Sequence, residues 1–402
     1  MLLYSSIYYK NGILIQKLSR IVHCKRKIRL IKIMLLLMVP FFLGFMVEVT
    51  AYDLVALRRL YQKSSDQWPK ATIDEGIVFQ ELGALPQAPI QANDAKYKYL
   101  IELGKTLFFD PRLSGSSQIS CSSCHDPDMH WTDGKIRAIG HNHRSGNRNS
   151  PSVAFAWANK FYFWDGRAMS LEEQTKGSLA NPKEMNADLV ALPAKLHSIA
   201  AYQPFFKDAF GTVKPNLDQL VHAIATFERS IRTSRSAFDR FVQGDTAALN
   251  DQQVLGMHLF RTKARCINCH SGALFSDQNF HNIGFSLYGE AKEDLGRYSV
   301  TKQATDVGKF KTPSLRNTTR TGPWLHNGMF QDLRGLINTY NNGMPHPKRK
   351  ENQLGDKLFP ETSVHLKPLS LTIAERDALI AFLESISTLP YPVKRPDIPG
   401  LD

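Results

Sequence analysis

Cys121-Ser122-Ser123-Cys124-His125 and Cys266-Ile267-Asn268-Cys269-His270 are the two stretches on which the reading of this chain turns. In each, two thiols stand three positions apart and a histidine follows the second directly. On one helical turn that spacing lets each thiol form a thioether with one vinyl group of a haem. The imidazole is then held beneath the iron as an axial ligand. The chain has five cysteines, and apart from Cys24 the two motifs use them all. Three other readings compete: two knuckles sharing a zinc, a redox dithiol, or a disulfide closed within each motif. None of them accounts for a histidine in the same place twice. The expectation is two covalently bound haem c groups, one on Cys121, Cys124 and His125, the other on Cys266, Cys269 and His270.

The flanks repeat as well. Leu103-Gly104-Lys105-Thr106-Leu107-Phe108 precedes the first motif and Leu255-Gly256-Met257-His258-Leu259-Phe260 the second, both of the form L-G-x-x-L-F. Elsewhere the apolar period is helical. Leu217, Leu220, Val221, Ile224, Phe227 and Ile231 share one face of a helix starting near Asn216. Thr372 and Glu375 have the spacing of a capping box ahead of Leu379, Phe382, Leu383 and Ile386. Strand-like alternation is scarce. The expected fold is mostly α, with two cytochrome c-like haem domains in tandem, residues 52–235 and 236–402, joined around 232–250. The C-terminal tail is allowed to pack back on the first domain.

The net charge of +13 on 402 residues is concentrated at the start. Residues 1–51 hold eight Lys/Arg and one acid, Glu48, leaving 42 basic and 36 acidic residues beyond them. No basic stripe remains for nucleic acid, and that class of function is set aside. Lys25, Arg26, Lys27, Arg29 and Lys32 precede an apolar run from Ile33 to Val47, followed by the small residues at Thr50 and Ala51. That order reads as a signal peptide cleaved near Ala51, and so as export to the periplasm. An N-terminal membrane anchor is the alternative.

Peroxide chemistry at a haem needs an open iron position and nearby groups that move protons. The segment Phe163-Trp164-Asp165-Gly166-Arg167-Ala168, the run Glu172-Glu173-Gln174 and Asn181-Pro182-Lys183-Glu184-Met185 offer such groups. With the two C-x-x-C-H motifs, these stretches resemble the bacterial dihaem cytochrome c peroxidases and their MauG-type relatives. Lys311-Thr312-Pro313-Ser314-Leu315-Arg316-Asn317 and Trp324-Leu325-His326-Asn327-Gly328 extend the likeness, which runs from about residue 95 to 390.

The resemblance implies a set of roles. The haem on His125 would react with peroxide, with Gln174 and Glu184 on its distal face and Glu184 moving a proton between the peroxide oxygens. Without that resemblance Glu184 reads as a solvated carboxylate at a helix end. Trp164 would relay electrons between the haems, although a plain core aromatic reads the same way. His141 matches a loop histidine that caps the reactive iron at rest, and His143 is its neighbour and competitor. The haem on His270 would collect electrons, its sixth ligand being Tyr340, as in MauG-type enzymes, or Met344. A calcium ion is implied on Asn149, Thr321 and Pro323, which are oxygen donors suited to it. Ser178 stands where relatives commonly have proline, four residues after the distal glutamine.

Three functions follow. The first is a peroxidase that reduces hydrogen peroxide with electrons from a small cytochrome c or copper protein. The second is a MauG-type enzyme that oxidises aromatic residues of a partner protein. The third is a dihaem electron carrier without catalysis. A homodimer is a further implication of the resemblance.

Overall fold

The computed structural model describes residues 52–389 and 391–401, so the expected leader lies outside the described residues. The order of helices is α1 (Leu54–Tyr61), α2 (Lys98–Phe109), α3 (Leu171–Ala180), α4 (Leu192–His197), α5 (Gln203–Phe210), α6 (Leu217–Arg229), α7 (Ala237–Val242), α8 (Asp251–Arg261), α9 (Tyr298–Thr301), α10 (Leu333–Asn341) and α11 (Ile373–Ser385). One antiparallel pair of two-residue strands joins β1 (Phe280–His281) to β2 (Phe310–Lys311). The mostly helical expectation holds.

Local chemistry sets the helix starts. The Asn216 side chain accepts from the Gln219 N–H (2.9 Å) while Gln219 reaches back to the Asn216 N–H (3.0 Å). Asn250 and Gln253 repeat the exchange at the start of α8, and Thr372 and Glu375 at α11. Each pair satisfies two amide donors that a helix start would otherwise leave open.

The repeated L-G-x-x-L-F stretch is a helix crossing. A Cβ at Gly104 would overlap the backbone carbonyl of Ala223, and one at Gly256 the carbonyl of Ala378. Only glycine lets α2 meet α6, and α8 meet α11, at that distance. Around each crossing three rings stand edge to face. Phe108–Phe227, Phe108–Trp131 and Trp131–Phe227 have centroids 5.3, 6.0 and 6.1 Å apart. Phe260–Phe382, Phe260–Phe275 and Phe275–Phe382 lie at 5.3, 6.0 and 6.0 Å. The internal duplication is thus present in side-chain packing and not only in spacing.

The chain ends exchange halves. Asp74, Gln80 and Glu81 bond to Asn268, Gly272 and Arg261, and Tyr61 lies against His258 and Arg261. Residues 54–82, given by the sequence division to the first half, therefore pack on the second. The cause is Arg261, 2% exposed, whose buried guanidinium needs Glu81 as its counter-charge. At the other end Arg395 bonds Asp126 (2.9 Å) and Asp128 (3.0 Å), and Arg112 bonds the Pro399 carbonyl (2.8 Å), so the C-terminal tail lies on the first half. Among the described residues no helix is long and apolar enough to cross a membrane.

Candidate functional site: two haem cavities

Each C-x-x-C-H motif closes a tight turn. The His125 N–H donates to the Cys121 carbonyl (3.0 Å) and the His270 N–H to that of Cys266 (2.8 Å). The ring Nδ1 of His125 lies 3.2 Å from the Trp131 carbonyl and that of His270 2.8 Å from the Phe275 carbonyl. A carbonyl only accepts, so Nδ1 carries the proton in both rings and Nε2 keeps its lone pair. Burial holds both imidazoles below their ordinary pKa, in the neutral form that ligates metal. The two accepting residues sit at φ +64° and +53°, left-handed backbone that is costly for a bulky side chain. The same unusual conformation thus aims a carbonyl at each proximal histidine.

Cys121, Cys124 and His125 line a cavity of about 850 Å³, and Cys266, Cys269 and His270 one of about 290 Å³. None of the four cysteines is in a disulfide. Burial pushes Cys124 and Cys266 up to about 12, the opposite of the depressed thiols of a redox dithiol. Paired thiols on a cavity wall, with an imidazole whose free nitrogen is Nε2, fit covalent haem in both places.

The distal residues expected from the sequence meet in the first cavity. Gln174 and Glu184 both line it, and Ser178 stands with them. Gln174 donates from Nε2 to the Ser178 hydroxyl (2.9 Å), and the same hydroxyl stands near enough to the Glu184 carboxyl to lower its pKa. Asn181 donates from Nδ2 to Glu184 Oε1 (2.7 Å). Burial outweighs these bonds and raises the Glu184 pKa. The hydroxyl at the proline position therefore stands between the two side chains, bonded to Gln174 and close to Glu184.

Trp164 lines both cavities and anchors its indole N–H on the Asn149 carbonyl (2.9 Å). His141 is buried beside the first cavity, its backbone N–H donating to the Glu184 carbonyl (2.7 Å). Its ring Nδ1 has no partner among the described residues, and the ring is not part of the cavity lining. Tyr340 lines the second cavity, whereas Met344, buried at φ +63°, does not. Asn149, Thr321 and Pro323 all line the second cavity too.

One wall residue escaped the sequence reading. Glu228, on α6, is 4% exposed, lines the first cavity and has its Oε2 without a partner among the described residues. Burial raises it to about 8. Its signal was in plain view, because it lies four positions after Ile224 on the apolar face of that helix. His326, stacked on Phe310 at 3.5 Å, lines both cavities and is pushed down to about 4 by burial.

Residues 98–247 match the family described as di-haem cytochrome c peroxidase. The chain is 37% identical over 303 residues to the methylamine utilization protein MauG of Methylorubrum extorquens, covering 74% of this chain and 81% of that protein. It is 38% identical over 269 residues to the cytochrome c551 peroxidase of Nitrosomonas europaea, covering 66% and 80%. The crystal structure of a MauG-like protein associated with microbial copper homeostasis superposes with a TM-score of 0.65 at 27% identity, covering 79% of this chain and 96% of that one. Two haem-binding motifs in duplicate helix frames, together with these likenesses, place the chain among the oxidoreductases of the di-haem cytochrome c peroxidase family.

Proposed function

We propose that this enzyme reduces hydrogen peroxide to water in the periplasm, drawing electrons from a small cytochrome c or copper protein. The observation that carries the reading is the polar wall of the first cavity, where Gln174 bonds Ser178, Asn181 bonds Glu184, and all four side chains line the same space. Cys121, Cys124 and His125 would hold the reactive haem, and Cys266, Cys269 and His270 the electron-collecting one. Bound haem supplies the iron that takes up peroxide and the redox equivalents that cleave its O–O bond.

Hydrogen peroxide accepts two electrons and two protons to give two waters. Glu184 as carboxylate takes the proton from one peroxide oxygen and returns it to the other, and its raised pKa suits both steps. The Gln174 amide hydrogen-bonds the incoming peroxide and orients it. Trp164, on the wall of both cavities, offers the aromatic bridge for electrons. His141 serves as the resting cap, since its backbone is bonded to Glu184 of the first cavity and its buried ring Nδ1 has no partner among the described residues. Asn149, whose amide nitrogen is spent on the Lys135 carbonyl, keeps its side-chain oxygen for a calcium ion shared with Thr321 and Pro323.

The test is steady-state peroxide consumption with a reduced c-type cytochrome, after the second haem has been reduced. Turnover supports the reading; no turnover from that half-reduced state, with both haems attached, refutes it. A second reading is favoured by the placement of Tyr340 in the second cavity. It is a MauG-type oxidation of aromatic residues in a partner protein. Absence of donor-driven turnover together with peroxide-dependent change in a partner's tryptophans would select it.

A further inference from the structure

We infer that Lys311 is a shared counter-ion for the carboxylates of both haems, a single cation that couples the two redox centres. The inference rests on the two-haem reading above. Eight residues line both cavities, and the only cationic side chain among them is Lys311. The other titratable one, His326, is held neutral by burial. Lys311 is fixed there by backbone on two sides. Its N–H donates to the Trp164 carbonyl (2.8 Å), and it pairs with Phe280 across the β1–β2 ladder.

Its ammonium has no hydrogen bond or ion pair among the described residues. The acid that acts on it, Asp277, is already engaged by His281 at 2.7 Å and by the Asn279 N–H at 2.9 Å. Most arginines on the same walls are paired, Arg148 with Asp165 and Asp294, Arg167 with Asp165, Arg265 with Asp74 and Arg316 with Asp239; Arg137 lines the first cavity alone. Burial without a partner lowers the Lys311 pKa to about 8. A half-buried, unpaired ammonium facing two cavities is well placed to meet an anion. Each haem c brings two propionates at the edge of the ring away from the thioether bonds. The cysteine pairs belong to one cavity each, while Lys311 lines both, from where it would serve propionates of either haem.

A nearby cation destabilises ferric iron, the more positive state, and so holds a midpoint potential up. Spectroelectrochemical titration of K311Q should show both potentials lowered, with K311R restoring both. Resonance Raman bending bands of the propionates, sensitive to their hydrogen bonds, should shift for both haems in K311Q. K311R, which keeps the charge, serves alone should K311Q fail to mature: its propionate bands should shift for both haems while its potentials stay at the wild-type values. A pyridine haemochrome assay reads haem content separately. Two haems with neither potential moved in K311Q, a shift confined to one haem, or unshifted propionate bands in K311R would each overturn the inference and leave the peroxidase reading standing. A haem count below two in the wild-type protein would instead remove the premise.

Discussion

The two halves of the molecule share a frame and differ in one wall. The glycine-dependent crossing, the capping-box starts of α6 and α11, and the three-ring cluster recur, the last with centroid distances that agree to about 0.1 Å. Trp131 and Phe275 belong to those clusters and also aim the carbonyls that fix His125 and His270. The core thus sets the tautomer of each proximal ligand through its packing. On the opposite wall the halves part. The first has Gln174, Ser178 and Glu184 around a larger cavity; the second has Leu336, Ile337, Leu371 and Leu383 with Tyr340. On the proposed reading a common frame would hold the cofactor, and the wall that differs would decide whether a site can move protons.

Glu184→Gln is the strongest way to break that contrast. Loss of a positioned proton-transfer group costs about 10²–10⁴-fold in rate, so peroxide turnover should fall by that factor with two haems still attached. The carboxylate form must accept the first proton. Wild-type turnover should therefore fall as the pH drops through the raised Glu184 pKa, and E184Q should lose that acid limb. Unchanged turnover in E184Q would place the reactive chemistry elsewhere.

The shared frame is tested by Gly104→Ala and Gly256→Ala. Each added methyl meets a backbone carbonyl that no rotamer change can move aside. Overpacking of this kind costs about 1–3 kcal/mol or more, and the thermal midpoints should drop to a similar extent in both variants. A large drop in one and none in the other would show that the two crossings are not equivalent. Ser178→Ala sharpens the difference between the walls. Losing the hydroxyl that Gln174 bonds, beside Glu184, should cost about 0.5–1.5 kcal/mol, read as a fall in kcat of several-fold with little change in thermal midpoint.

Much of this was legible in the sequence. The motifs pointed to Cys121, Cys124 and His125 and to Cys266, Cys269 and His270 because covalent attachment fixes spacing along the chain, and each set lines one cavity. The apolar period placed the start of α6 near Asn216, and the Thr372/Glu375 spacing named the start of α11 because a cap acts over three residues. What stayed hidden acts across long separations. The docking of residues 54–82 on the second half depends on Arg261 finding Glu81, 180 positions away. The role of Ser178 depends on Glu184 folding back past Asn181, and a departure from the family pattern gave its position without its partners. Glu228 was readable as a carboxylate on an apolar helix face, but its exposure to a cavity was not. Nor could spacing say whether Tyr340 or Met344 faces the second haem.

That last choice carries the smallest energetic effect and the clearest spectral one. Helix α10 ends at Asn341, and the chain turns so that the Met344 N–H returns to the Thr339 carbonyl (3.0 Å). The turn takes Met344 into the protein interior, where it is 6% exposed and off the cavity wall. Tyr340, one helical turn earlier, stays on the wall with Cys266 and Cys269. Burial raises its phenol pKa, so only a strong Lewis acid would draw off the proton, and ferric iron is one. A phenolate stabilises the ferric state and lowers the potential. Tyr340→Phe should therefore change the visible and EPR spectra of the second haem and raise its midpoint potential. Met344→Leu, a volume-conserving swap, should leave both untouched and cost under about 1.5 kcal/mol. If Met344→Leu moves the spectrum and Tyr340→Phe does not, the turn after α10 must rearrange when haem is bound, and the second wall is less fixed than the first.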